Sequence, residues 1–99
     1  MTDKELLELA AKAAWIDCTA VVLEGVPHRF GGGYWNPLTD DGDALRLAVK
    51  LRIDITFDGF EDDSILAAWW VMEDLGNDPH AATRRAIVRA AAEIGRSMG

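Results

Sequence analysis

Cysteine is almost missing: Cys18 is the single one in 99 residues, which excludes an internal disulfide and a multi-cysteine zinc site. Histidine is scarce too, with only His28 and His80 to supply metal-binding or general-base chemistry. No apolar run approaches the roughly 20 residues of a membrane-spanning helix. The opening stretch, MTDKELLELAAKAA, places acids and lysines at helical spacing, which fits neither a signal peptide nor a membrane span. Positive charge is missing from Ile53 to Asp78, where eight carboxylates stand without a lysine or arginine: Asp54, Asp58, Glu61, Asp62, Asp63, Glu73, Asp74 and Asp78. The last 21 residues reverse the sign, with Arg84, Arg85, Arg89 and Arg96 against Glu93 alone. A net charge of −7 repels nucleic acid at long range, so direct binding to DNA or RNA is not expected.

What is present describes a globular chain. Apolar residues make up 49% and charged residues 27%. A chain of this length buries roughly 65% of its unfolded surface, enough for one core without staples. Residues 1–99 are therefore expected to form one soluble domain, cytoplasmic and without a membrane partner.

Thr2 followed by Glu5 is a capping-box spacing and starts a first helix, whose apolar positions are Leu6, Leu9, Ala10 and Ala13 with Leu7, Ala11 and Ala14 beside them. The β-branched stretch from Ile16 to Leu23 predicts a strand. A loop from Glu24 to Leu38 holds four of the nine glycines and two of the three prolines. A second helix is predicted from Thr39 or Asp40 to Leu51, with Ala44, Leu45, Leu47, Ala48 and Leu51 inward. RIDITF alternates, and SILAAWWVMED is a continuous apolar run that fits a buried strand, although its spacing also fits a helix. Its short length and two tryptophans favour a strand, forming a β-hairpin with residues 52–57. Asp78 before Pro79 predicts the N-terminus of a last helix, with Thr83, Ile87, Ala90, Ala91, Ile94 and Met98 inward. Arg85, Arg89, Glu93 and Arg96 would form its outer face, joined by ion pairs along the helix. The expected fold is α+β in the order α-β-α-β-β-α, a small three-stranded sheet packed with three amphipathic helices.

The stretch FGGGYWNPLTDDGD, residues 30–43, is the one place that looks built for contact. A phosphate cradle needs converging backbone N–H groups and a positive setting, but Asp40, Asp41 and Asp43 open the helix and would repel phosphate. As a calcium loop beginning at Asp41 it fails, because Arg46 stands where glycine is needed and Arg52 where the bidentate glutamate is needed. The acids read as helix caps. Tyr34 and Trp35 either close over the core, the preferred reading, or project to bind a ligand, with Arg29 beside them to meet a nucleotide. No metal or cofactor is expected. Cys18 reads as a small buried hydrophobe, and no nucleophile motif surrounds Ser64 or Ser97, so an enzyme is not expected.

The acidic run is either a solvated hairpin that protects a sheet edge or a patch of Asp58, Glu61, Asp62 and Asp63 for a basic partner. Trp70 is the candidate hot spot beside it. A homodimer through the same hairpin is the other possibility.

YWNPLTDDGDALRLAVKL and NDPHAATRRAIVRAAAEIG together resemble the phage ABA-sandwich family of small proteins encoded by tailed phages and prophages. Trp35 and Pro37 ahead of the middle helix, and Ala81, Arg85, Ala86, Ile87, Ala91 and Ala92 in the last, carry the resemblance. It implies a small sheet between helical layers and a phage accessory role, with no catalytic residues to carry over. The expectation that follows is a non-enzymatic protein that binds and inhibits a host protein in the bacterial cytoplasm, for example an anti-defence protein of the anti-CRISPR kind acting on a basic nucleic-acid-binding surface. The alternatives are binding or sequestering of a small molecule such as a nucleotide, and an oligomeric structural part.

Overall fold

A computed structural model of the chain describes residues 2–14, 26–27, 34–58, 64–68 and 71–98. The elements are α1 (Asp3–Ala13), β1 (Val26–Pro27), β2 (Tyr34–Trp35), α2 (Asp41–Leu51), β3 (Ile55–Asp58), β4 (Ser64–Ala67), β5 (Val71–Asp74) and α3 (Pro79–Ser97). The expected strand from Ile16 to Leu23 lies outside the described residues. The three helices and a three-stranded antiparallel sheet in the order β3-β4-β5 make a small α+β fold. β1 and β2 form a separate two-stranded pair, with Val26 opposite Trp35.

All three helix starts follow from local chemistry. Thr2 accepts the Glu5 N–H at 3.1 Å while Glu5 reaches back, closing the capping box of α1. Asp40 accepts the Asp43 N–H at 2.8 Å at the start of α2. Asp78 accepts the Ala81 N–H at 3.0 Å, with Pro79 in the first turn of α3 where its missing N–H costs nothing.

The run from Ser64 to Asp74 forms two strands rather than one. Ala68 takes a left-handed φ of 54° and the chain reverses, so that Ala67 faces Val71 and Ser64 faces Asp74. The Ala68 N–H donates to the Asp54 carbonyl at 2.7 Å, which anchors the reversal to the chain ahead of β3. The predicted pairing with the preceding strand holds, from Ile55 opposite Ala67 to Asp58 opposite Ser64.

α3 is the central element and packs against α1, α2, β4 and β5. Its buried set, Ala86, Ile87, Val88, Ala90, Ala91, Ala92 and Gly95, includes consecutive positions, so it is covered on more than one face. That is why the single predicted stripe is too narrow; Met98, expected inward, is the C-cap beyond the last turn and is 42% exposed. Ile65, Ala67 and Val71 supply the sheet's share of the core. Leu6, Leu7, Ala10 and Ala11 of α1 complete it, and the small side chains bring the α1 and α3 backbones close.

The arginines of α3 pair chiefly with other elements, not along their own helix. Arg84 reaches Asp41 of α2, Arg85 reaches Asp3 of α1 at 3.1 Å, and Arg89 reaches Glu73 of β5. Only Arg96, at 3.5 Å from Glu93, makes the expected local pair.

Candidate functional site

The glycine–aromatic stretch ends in a built turn. Trp35 is only 5% exposed and belongs to the core, the position that the core-lid reading gives it. Asn36 Oδ1 accepts the Leu38 N–H at 3.0 Å, and its carbonyl accepts from the amides of Thr39 and Asp40, folding the chain over Pro37. The buried carboxylate of Asp43 accepts the Asn36 N–H at 2.9 Å and a bond from Arg46 at 2.7 Å. Asp40 caps α2, as read from the sequence, whereas Asp43 ties the turn to the helix.

Of the other residues singled out, Tyr34 lies in β2 opposite Pro27, and Asp58 ends β3 opposite Ser64. Arg29, Glu61, Asp62, Asp63 and Trp70 lie outside the described residues. Among the described residues, no group of three or more His, Cys, Asp or Glu side chains is placed to hold a metal ion. Nor is any helix among them long and apolar enough to cross a membrane.

Another site emerges where α2, α3 and β3 meet. It is a groove of about 500 Å³, within the range of roughly 300–1,000 Å³ usual for small-molecule sites. Ala44 and Leu45 of α2, Ile55 and Phe57 of β3, and Ile87 of α3 line it, with Leu75 and Pro79 from the turn into α3. Leu45, expected to face inward, is 59% exposed, and Phe57 is 61% exposed. α2 packs on α3 and buries Ala44, Leu47 and Ala48, while Leu45 and Val49 turn outward; Val49 is 68% exposed.

Polar groups converge on this groove from both helices. The Arg84 Nη1 donates to Asp41 Oδ1 at 2.5 Å, and its Nε donates to the Leu38 carbonyl at 2.8 Å. His80 Nδ1 lies 3.3 Å from Asp41 Oδ2. The Arg84 guanidinium hydrogen-bonded to it holds the Asp41 carboxyl below its ordinary value; desolvation opposes this, and the charges of Arg84 and His80 add to the lowering. Its ionised form is thereby favoured, with the exposed ring of His80 beside it. The Thr83 hydroxyl, which also lines the groove, donates to the Pro79 carbonyl at 2.7 Å.

The sequence held a signal for part of this site. His80, Thr83, Arg84 and Ile87 repeat at helical spacing and share one side of α3. Their partners Asp41, Leu45 and Phe57 are brought in by tertiary packing alone. The chain matches no protein-family model, and comparison with curated proteins and with solved structures finds no match either.

Proposed function

We propose that this protein is a non-enzymatic binding protein and that the groove between α2, α3 and β3 holds a small, largely apolar molecule. The observation that carries this reading is the groove itself: an apolar cleft of about 500 Å³ in which His80, Asp41 and Arg84 converge at fixed positions. The reading keeps the small-molecule alternative drawn from the sequence but moves its site away from the glycine loop. A nucleotide fits poorly, because its phosphates would meet a chain of net charge −7 with Asp41 at the groove. The test is a thermal-shift screen of neutral aromatic and aliphatic compounds on the wild type and on Phe57→Ala. Phe57 is mostly exposed, so its loss should spare the fold and weaken binding about tenfold. A panel that leaves the melting temperature unmoved at saturating solubility disposes of the proposal.

A second reading is favoured by a different observation. Leu45, Val49 and Phe57 leave a line of large apolar side chains exposed along α2 and β3, the kind of surface that marks a protein partner. The partner would be a host protein inhibited in the bacterial cytoplasm, as the phage-accessory resemblance implies, or a second copy of the chain. Val49 lies outside the groove, so Val49→Lys separates the two readings. Loss of a co-purifying protein or of a dimer, with small-molecule binding intact, selects the partner reading.

A further inference from the structure

The packing of α2 on α3 leaves one exposed stripe along α2. At about 100° per residue, Asp41, Leu45 and Val49 fall within about 80° of the helix circumference, on the flank next to the buried Ala44, Leu47 and Ala48. Arg52, the C-cap of the helix, extends the stripe, since it lines an open depression together with Leu45 and Val49. That depression shares Leu45 and Ile55 with the groove that Asp41 lines, so the surface runs without a break from Asp41 to Arg52. Its two ends differ in sign. At the start of α2, the carboxylates of Asp40, Asp41 and Asp43 stand against Arg46 and Arg84. At the other end, Lys50 and Arg52 stand against Asp54, and among the described residues neither cation makes an ion pair.

Such a stripe is its own complement. The midpoint of positions 41 and 52 and that of positions 45 and 49 fall within half a residue of each other. A second α2 laid antiparallel therefore sets Asp41 opposite Arg52 and Leu45 opposite Val49, each pairing occurring twice. Resting on the partner reading of this face given above, we infer that its occupant is a second copy of this chain, with the two α2 helices packed antiparallel about a two-fold axis level with Leu47. A parallel arrangement would set Asp41 against Asp41 and Arg52 against Arg52. The antiparallel one also brings the negative end of each helix dipole beside the positive end of the other. A uniformly basic partner would meet Lys50 and Arg52 at one end, and a uniformly acidic one the carboxylates at the other, so neither fits the stripe as well. Asp41 already holds Arg84 and lies 3.3 Å from His80, so Leu45 and Val49 carry the contact while the charges set its direction. The contact is self-complementary and closes at two copies. α2 has 11 residues and spans about 16 Å, a small interface, so the dissociation constant is expected at about 10–100 μM.

The experiment is sedimentation equilibrium from about 5 μM to about 500 μM protein, in about 0.15 M salt to screen the net charge of −7. The wild type is expected to pass from monomer to dimer across this range, and Val49→Lys to stay monomeric. Arg52→Glu should weaken the dimer about tenfold, because two contacts turn from attraction to repulsion. Lys12→Glu makes the same charge change on α1 and should leave the dimer as it was. All three side chains are exposed, so the substitutions spare the core. A wild type that is monomeric at every concentration overturns the inference. The partner reading outlives that result only if another protein co-purifies with the wild type and not with Val49→Lys. A dimer that withstands Val49→Lys forms through another face, and one that withstands Arg52→Glu has another register; either overturns the inference. Equal weakening by Arg52→Glu and Lys12→Glu reports net charge alone and overturns it as well.

Discussion

Gly95 of α3 lies against the backbone carbonyl of Leu9 in α1, so closely that a Cβ at position 95 would overlap that oxygen. The obstacle is backbone on both sides, and neither helix can yield without opening the alanine-lined contact between them. Gly95→Ala is therefore expected to destabilise the fold by about 1–3 kcal/mol, even though alanine is the better helix former. For a domain of this size, roughly 4–8 °C of melting temperature is lost per kcal/mol, and calorimetry reads it. An unchanged or higher melting temperature would show that the two helices are not in this register.

A similar argument with the opposite sign applies to Ala68. Its φ of 54° is left-handed, where a Cβ costs about 1–2 kcal/mol and glycine costs nothing steric. Ala68→Gly should raise stability by about 0.5–1 kcal/mol after the added chain entropy is counted. Chemical denaturation measures it, and a clear loss of stability would contradict the two-strand division of residues 64–74.

Arg84 should prove more than a point charge. Arg84→Lys keeps the charge but loses the fork that bonds Asp41 and the Leu38 carbonyl together. The expected loss is about 1–2 kcal/mol. Arg85→Lys, at a more exposed pair with Asp3, should change stability by less than about 0.5 kcal/mol. Equal effects at the two positions would remove the distinction.

Acid should weaken the contact between α2 and α3. The folded-state value of Asp41 is held below the ordinary 3.8, chiefly by the hydrogen bond from Arg84. Its stabilising contribution is complete above that ordinary value and disappears as pH falls through the lower, folded-state value. Denaturation midpoints of the wild type, followed by tryptophan fluorescence, should therefore fall more steeply as pH drops below about 4 than those of Asp41→Asn. Parallel pH profiles in the two proteins would refute the link.

Asp43→Ala tests the turn before α2. It strips the acceptor from the Asn36 N–H within a buried site, and should cost about 1–3 kcal/mol. Asp40→Ala, which removes only the exposed cap, should cost about 1 kcal/mol. If Asp43→Ala proves the milder of the two, the buried bond does not hold the turn.

The helix starts were legible because capping is a local matter: Thr2 with Glu5, Asp40, and Asp78 with Pro79 each satisfy amides within three or four residues. The break at Ala68 was not legible, since an uninterrupted apolar run with no glycine, asparagine or proline carries no turn signal, and the left-handed conformation falls on an ordinary alanine. The exposure of Leu45 depends on which side of α2 meets α3, and helical spacing alone does not choose between adjacent apolar positions. The ion pairs of Arg84, Arg85 and Arg89 span 43, 82 and 16 residues, distances that no local pattern encodes. The candidate site suffers most, because its α3 side is a readable spacing while α2 and β3 reach it only through the packed fold.

Alanines along the contact between α1 and α3 have no side-chain rotamers to lose, so the seam forms without that entropic cost and leaves no room for substitution. Leu45, Val49 and Phe57 stand apart from it and can be exchanged at little risk to the fold. The molecule therefore separates the part that must stay constant from the part that can vary, and selection for a new ligand or partner can act on the exposed face while the seam is left alone.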